Sequence, residues 1–232
     1  MKRAVLLAIA ALACGLGARE AWGEAPHLNQ KIADKKISIR KAVLLPAQVS
    51  FTKVGGKGYE GGLPAADQIA AVLYSTVSKE LSLRGMELSA NPLEQAKDDA
   101  AKYSVADLQA RYDTVAVQLE RKPKRVARGG FTLGDRVAEF EPGAAADVLV
   151  FLRGSGQLAT PARTVIALAS MRFPETKFRG EVTFVDAKTG EVLMFVRFTR
   201  FRDMTTKTDE RFTQSLRLAL HDVPLPLPPP KN

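Results

Sequence analysis

The apolar run Val148–Leu152 limits the fold of this chain more than any other segment. It places five apolar residues in succession directly after Ala145-Ala146-Asp147. A strand with one face in water alternates polar and apolar residues, whereas an unbroken apolar run needs cover on both faces. The sequence therefore predicts that Val148–Leu152 is a central strand of a sheet.

A strand, a helix and a second strand are predicted near the N-terminus. The first strand runs from Ile37 to Leu45 and stops at Pro46, whose ring fixes φ and removes a backbone donor. The second strand covers residues 86–90. If the two strands are parallel neighbours, their connection forms a right-handed crossover.

The helix between these strands begins at Pro64 and ends at Gly85, because the residue that ends a helix often adopts the left-handed conformation that glycine favours. Its apolar side chains recur every three or four residues, which is typical of a helix with one buried face. The residues on that face are Ile69, Leu73, Val77 and Leu81, with Val72 and Thr76 beside them.

The segment Asp186–Gly190 predicts the turn of a β-hairpin between Gly180–Val185 and Glu191–Phe198. An aspartate hydrogen-bonds the backbone of such a turn, while Gly190 adopts positive φ and lets the strands pair through a bulge. A further strand is predicted at Thr164–Ala169, and Ser155 is predicted to lie in a turn.

Two more helices follow from caps and periodicity. One begins at Ser104, and its apolar face contains Val105, Leu108, Tyr112, Val115 and Leu119. The other is capped by Thr208 or Asp209 and carries Phe212, Leu216, Ala219 and Leu220. Together the elements predict an α/β fold: a mixed sheet of about five or six strands with helices packed on it, an N-terminal β-α-β unit and a C-terminal β-hairpin plus helix.

The strand from Ile39, the helix ending at Gly85, the buried strand after Asp147 and the hairpin at Val185–Leu193 carry a resemblance. From Ile37 to Leu220 the chain resembles bacterial envelope lipoproteins with the fold of the curli secretion-channel lipoprotein and of the N-terminal domain of the Tol-system propeller protein. The resemblance implies helices on a mixed sheet and a role in envelope assembly, secretion or scaffolding. The one functional residue that it maps onto this chain is Cys14, the cysteine to which such lipoproteins attach their lipid.

Cys14 is the only cysteine and ends the apolar run Ala4–Ala13, which follows a basic start. This arrangement is typical of a secretory signal, and the run is too short to cross a bilayer. Ala11-Leu12-Ala13-Cys14 resembles a lipobox, with Leu12 one place late, so cleavage would leave Cys14 as a lipidated first residue. The alternative is cleavage near Gly23, which would leave a soluble periplasmic module binding an anionic ligand.

The predicted organisation has four parts. Residues 1–13 form the signal peptide, residues 14–36 the lipidated N-terminus and tether, residues 37–222 a single α/β domain, and residues 223–232 a Pro-rich extended tail. The residue after Cys14 is Gly15, and not the aspartate that retains enterobacterial lipoproteins in the inner membrane. The expected location is therefore the periplasmic side of the outer membrane.

The chain is basic, with 34 Lys and Arg residues against 25 Asp and Glu and a formal net charge of +9. A basic surface attracts polyanions, and for an exported protein these are envelope components rather than nucleic acid. The residues that follow the helix from Ser104 form the candidate patch for an anionic partner: Arg121, Lys122, Lys124, Arg125 and Arg128. The alternative is that these residues are a solvated basic helix end whose charge complements the helix dipole.

Few residue types suit catalysis. His27 is predicted in the tether and His221 at the end of the last helix, and no paired metal-ligand spacing is present. The carboxylate candidates are Asp98, Asp99, Glu139 and Glu141, all in loop-like sequence. We therefore expect that the protein is not an enzyme and that it binds no cofactor and no metal. The expected function is a non-catalytic outer-membrane lipoprotein, a scaffold or binding module for an envelope protein or anionic polymer.

Overall fold

The structure is a computed structural model that describes residues 25–54, 64–89, 91–96, 98–159, 177–201, 208–221, 223 and 225–226. Within these ranges the strands are β1 His27–Leu28, β2 Lys41–Leu44, β3 Gln48–Val54, β4 Glu87–Ser89, β5 Val148–Ala159, β6 Lys177–Asp186 and β7 Val192–Phe201. The helices are α1 Gln30–Ala33, α2 Pro64–Leu83, α3 Pro92–Gln95, α4 Asp99–Arg121 and α5 Thr208–His221. Three 3-10 segments lie at Pro123–Arg128, Asp135–Glu139 and Glu141–Gly143.

One mixed sheet contains the seven strands, in the order β1-β7-β6-β5-β2-β4, and β3 also pairs with β5. β2 is parallel to β4 and β5, and β3 is parallel to β5. The pairs β5–β6, β6–β7 and β1–β7 are antiparallel. The predicted α/β class with a mixed sheet and packed helices is confirmed, with one strand more than the upper estimate.

The central position of Val148–Leu152 is confirmed. Its side chains alternate between two separate cores, one on each face of the sheet. Val148, Val150 and Leu152 pack with α2 and α5, whereas Leu149 and Phe151 pack beneath α4. Burial on both faces explains why the stretch Val148–Leu152 of β5 contains no polar residue.

The N-terminal β-α-β unit is confirmed, because β2 and β4 pair in parallel and α2 connects β3 to β4. The predicted face of α2 is buried, with Leu73, Val77 and Leu81 fully covered. Gly85 has φ of +84°, the left-handed conformation that ends the helix.

The hairpin also forms as its turn residues predict. Asp186 Oδ1 accepts hydrogen bonds from the amides of Lys188 and Thr189 at 2.9 and 2.8 Å. Gly190 has φ of +69°, and the pairing of β6 with β7 shifts between Phe184 and Val185. Predicted strand Thr164–Ala169 lies outside the described residues.

Several boundaries differ from the predictions. α4 begins at Asp99 and not at Ser104, because Asp98 Oδ1 accepts a hydrogen bond from the Ala101 amide at 2.8 Å and caps the helix. The prediction of a turn at Ser155 is wrong, because this residue is exposed within β5.

Both predicted extensions are partly packed on the fold. β1 pairs with β7 and Ile32 is buried, so packed structure starts before Ile37 within the segment predicted as tether. Val223 and Leu225, in the predicted Pro-rich tail, are buried against the core that α2 and α5 share. Apolar contact with the sheet and helices holds these segments where composition alone predicted extended chain.

Candidate anion-binding surface

The basic patch of the sequence lies at the end of α4 and in the 3-10 segment that follows it. We call this the basic surface, and it consists of Arg121, Lys122, Lys124, Arg125 and Arg128. All five side chains are exposed. Arg121 is the last residue of α4, Lys122 joins the two helices, and the other three lie in the 3-10 segment Pro123–Arg128.

Local contacts hold the 3-10 segment in place. Val126 is fully buried and joins the core beneath α4, which orients the neighbouring cations outward. Gly129 has φ of +67° and ends the segment, and the Gly130 amide donates to the Arg125 carbonyl at 3.1 Å. The Arg125 guanidinium lies over the Phe131 ring, 5.3 Å from its centroid.

The helix before the segment is fixed by a buried polar contact with the sheet. The Tyr112 hydroxyl and the Thr183 hydroxyl share a hydrogen bond of 2.7 Å, and Tyr112 stacks on Phe151. Arg197 donates to the Glu120 carbonyl at 3.3 Å, in the last turn of α4. The position of the basic surface therefore follows from packing between α4 and the central strands.

Arg197 also forms a buried ion pair with Glu181, with Nε 3.3 Å from Oε1. Burial raises the pKa of the Glu181 carboxyl, the Glu120 carboxylate raises it further, and Arg197 opposes both. Burial likewise raises the pKa of the Tyr112 hydroxyl. These groups connect α4, β6 and β7.

The five cations of the basic surface differ from the nine described cations that form ion pairs. None of the five pairs with a described carboxylate. The cations that do form ion pairs are Lys31, Lys36, Lys41, Lys102, Arg111, Arg136, Arg153, Arg197 and Arg217. The basic surface thus presents charge that no carboxylate of the described residues compensates.

The start of the described chain lies beside this surface. β1 packs against the 3-10 segment Pro123–Arg128. A β-carbon placed on Gly129 would contact Glu191 and lie 3.9 Å from Asn29 Nδ2. Asn29 Nδ2 in turn donates to Glu191 Oε1 at 2.9 Å, and Lys31 pairs with the other oxygen of Glu191. No sequence signal predicted this contact, because Asn29 and Glu191 are far apart in the chain.

Three of the four candidate carboxylates lie at one cleft, and the fourth lies outside it. Asp98, Glu139 and Glu141 line one open cleft of about 670 Å³ at the start of α4. Asp98 caps α4, and Glu139 lies 3.5 Å from Arg136 Nε. Asp99 points outward and pairs with Lys102 at 3.2 Å.

The two histidines lie apart. The His27 ring stacks on Phe195, whose side chain belongs to the core beneath α4. His221 ends α5, which packs on the opposite face of the sheet. Across the described ranges, no three His, Cys, Asp or Glu side chains converge as a metal site would require. None of the helices in those ranges is both long and apolar enough to span a bilayer. Cys14 lies outside the described residues.

No protein-family model matches this chain, and no curated protein matches it. Among solved structures it is similar to the PelC dodecamer from Paraburkholderia phytofirmans, with 12% identity and a TM-score of 0.36 over 86% of this chain and 91% of that chain. It is also similar to lipoprotein GNA1162 from Neisseria meningitidis, with 10% identity and a TM-score of 0.37 over 81% of this chain and 99% of that chain. Similarities this distant assign no function. The resemblance to the curli and Tol proteins stays a prediction.

Proposed function

We propose that this protein is a non-catalytic binding module of the bacterial envelope. In this proposal a lipid on Cys14 anchors it to the periplasmic side of the outer membrane, and the basic surface binds an anionic envelope component. The observation that carries the proposal is the run of five exposed cations without a carboxylate partner in the described chain.

Uncompensated charge on a fixed scaffold favours binding of an anion. A cation already paired within the protein must give up that pair before it contacts a ligand, whereas an unpaired cation gives up only water and counterions. The buried Val126 and the cap at Gly129 fix the backbone that carries these side chains. Little backbone ordering is therefore needed on binding.

The absence of catalysis belongs to the same proposal. Of the candidate groups, Asp98 is used as a helix cap, Asp99 pairs with an exposed lysine, and His27 stacks on Phe195. A catalytic nucleophile or base is commonly oriented by a hydrogen-bonded partner and faces the place where the substrate binds. The contacts of these three groups are those of structural residues.

Binding of lipopolysaccharide at increasing salt tests the recognition part. We compare wild-type protein with the patch variant Lys122→Gln/Lys124→Gln/Arg128→Gln. The control variant Arg40→Gln/Lys79→Gln/Arg179→Gln removes three cations that lie outside the basic surface and, like it, form no ion pair with a described carboxylate. Because both variants lose the same net charge, a loss confined to the patch variant supports the proposal. Equal losses in both variants would show that net charge alone attracts the polyanion.

Mass spectrometry of the mature N-terminus tests the anchoring part. A first residue Cys14 carrying acyl chains supports it. A first residue after Gly23 overturns the anchor and supports the soluble periplasmic alternative. An intact Met1 overturns export.

A further inference from the structure

We propose that the basic surface docks on the anionic lipid headgroups of the same membrane that holds the Cys14 anchor. This inference rests on the proposed anchor and names the partner of the surface: a phospholipid bilayer containing anionic lipid. The lipid chain would hold the protein at the membrane, and the basic surface would set the orientation of the domain on it.

The first argument is where the chain enters the fold. β1 packs against the 3-10 segment Pro123–Arg128, and Gly129 adjoins Asn29 and Glu191. The chain that leads to Cys14 therefore departs from the same part of the molecule that carries the five cations. An anchor attached through this chain therefore joins the domain on the side that carries the basic surface.

The second argument is reach. Thirteen residue steps separate Cys14 from His27. At full extension they span at most about 45 Å. An anchor on this connection keeps the domain at high local concentration near the headgroups. The exposed cations of the basic surface act there over about one Debye length, roughly 8 to 10 Å at physiological salt.

The third argument is the chemistry of the surface. The 3-10 segment has about three residues per turn, so positions three apart share a side. Lys122, Arg125 and Arg128 follow that spacing, and Val126 is buried. Between Arg121 and Arg128 no large apolar side chain is exposed. The surface therefore suits electrostatic contact at the level of the headgroups, sensitive to salt, and not insertion into the acyl region.

Vesicle binding by the chain without residues 1–13, which begins at position 14 and carries Cys14→Ser, tests the docking without the anchor and without the apolar run Ala4–Ala13. The vesicles contain either phosphatidylcholine alone or phosphatidylcholine with about one third phosphatidylglycerol, at low and high salt. We expect binding only with the anionic lipid at low salt. Introducing the patch substitutions Lys122→Gln/Lys124→Gln/Arg128→Gln should weaken binding about a hundredfold, because each basic residue near an anionic bilayer contributes a factor of about five. The control substitutions Arg40→Gln/Lys79→Gln/Arg179→Gln should change it by less than about threefold, because those cations lie outside the basic surface.

Lysine acetylation of the lipidated protein in the anionic vesicles checks the orientation. Lys122 and Lys124 should react more slowly than in phosphatidylcholine vesicles, while Lys79 reacts at an unchanged rate. Protection of Lys79 instead, or equal vesicle binding by patch and control variants, would overturn the docking. If the basic surface binds soluble lipopolysaccharide but not anionic vesicles, the docking fails while the proposed binding module stands. A mature chain without lipid refutes the anchor and the shared-membrane part of this inference, whatever the vesicles show.

Discussion

Three buried aromatic rings lie across glycines of neighbouring strands. Phe51 covers Gly156, Phe178 covers Gly154, and Phe198 covers Gly180. The rings also line up across the sheet, with centroids 6.1 Å apart for Phe51 and Phe178 and 6.5 Å apart for Phe178 and Phe198. The sequence analysis placed Ser155, which lies between Gly154 and Gly156, in a turn, whereas in the structure these two glycines leave room for the rings.

Gly180→Ala is expected to destabilise the fold by about 1–3 kcal/mol, the usual cost of overpacking a filled core. The added methyl group would overlap the Phe198 ring, which is fully buried and has little room to move. Urea unfolding measures the change. Ser155→Ala is the matched control in the adjacent strand and should stay within about 0.5 kcal/mol of wild type. A neutral Gly180→Ala would show that the ring relaxes at no cost.

At the scale of elements, periodicity located the helices more accurately than it located their ends. Val105, Leu108, Tyr112 and Leu119 are buried as predicted, and Val115 is partly buried. The predicted cap at Ser104 is nevertheless wrong, because Asp98 caps α4 about one and a half turns earlier. Residues 99–103 between them are exposed, apart from the half-buried Ala101, so they add nothing to the apolar period by which the helix was recognised.

Asp98→Ala is expected to lower the free energy of unfolding by about 1 kcal/mol, the typical worth of a helix N-cap. The substitution removes the acceptor of the Ala101 amide. Ser104→Ala should have little effect, because in the structure this residue lies within the helix. Thermal or urea unfolding of both variants distinguishes the two caps. A larger loss for Ser104→Ala would restore the boundary predicted from the sequence.

At the scale of the whole molecule, α4 and the sheet are joined through polar groups as well as apolar ones. Glu181 and Arg197 are both buried, and the Glu181 Oε2 atom has no hydrogen-bond partner within the described chain. The pKa of this carboxyl is therefore raised above its ordinary value. At a pH between the ordinary pKa of a glutamate and the raised pKa of Glu181, the folded chain binds more protons than the unfolded chain.

The Glu181 contribution to the free energy of unfolding should consequently fall as pH rises from the ordinary pKa of a glutamate through the raised pKa of the folded state. Glu181→Gln removes this titration, so its stability relative to wild type should improve as pH rises across the same window. Urea unfolding at several pH values measures both proteins. Glu87→Gln, at an exposed and loosely paired carboxylate, serves as the control. Parallel profiles for wild type and Glu181→Gln would contradict the raised pKa.

The sequence by itself determined the central strand, the helix α2 and the hairpin turn. Their signals are local: an unbroken apolar run, a period of three to four residues, and an aspartate and a glycine at the positions a turn requires. It also identified the five cations as one run. The sequence did not predict β3, which begins two residues after Pro46. Its identity as a separate strand depends on its pairing with β5, a contact between segments far apart in the chain.

Only the tertiary structure decided which surfaces meet. The strand order, the packing of β1 beside the basic surface and the burial of Val223 and Leu225 depend on contacts between segments far apart in the chain. Such contacts form where apolar faces and unpaired strand edges find complementary partners in space, and no local pattern records the partner. The cations were visible in the sequence, whereas their place beside the chain that leads to Cys14 was not.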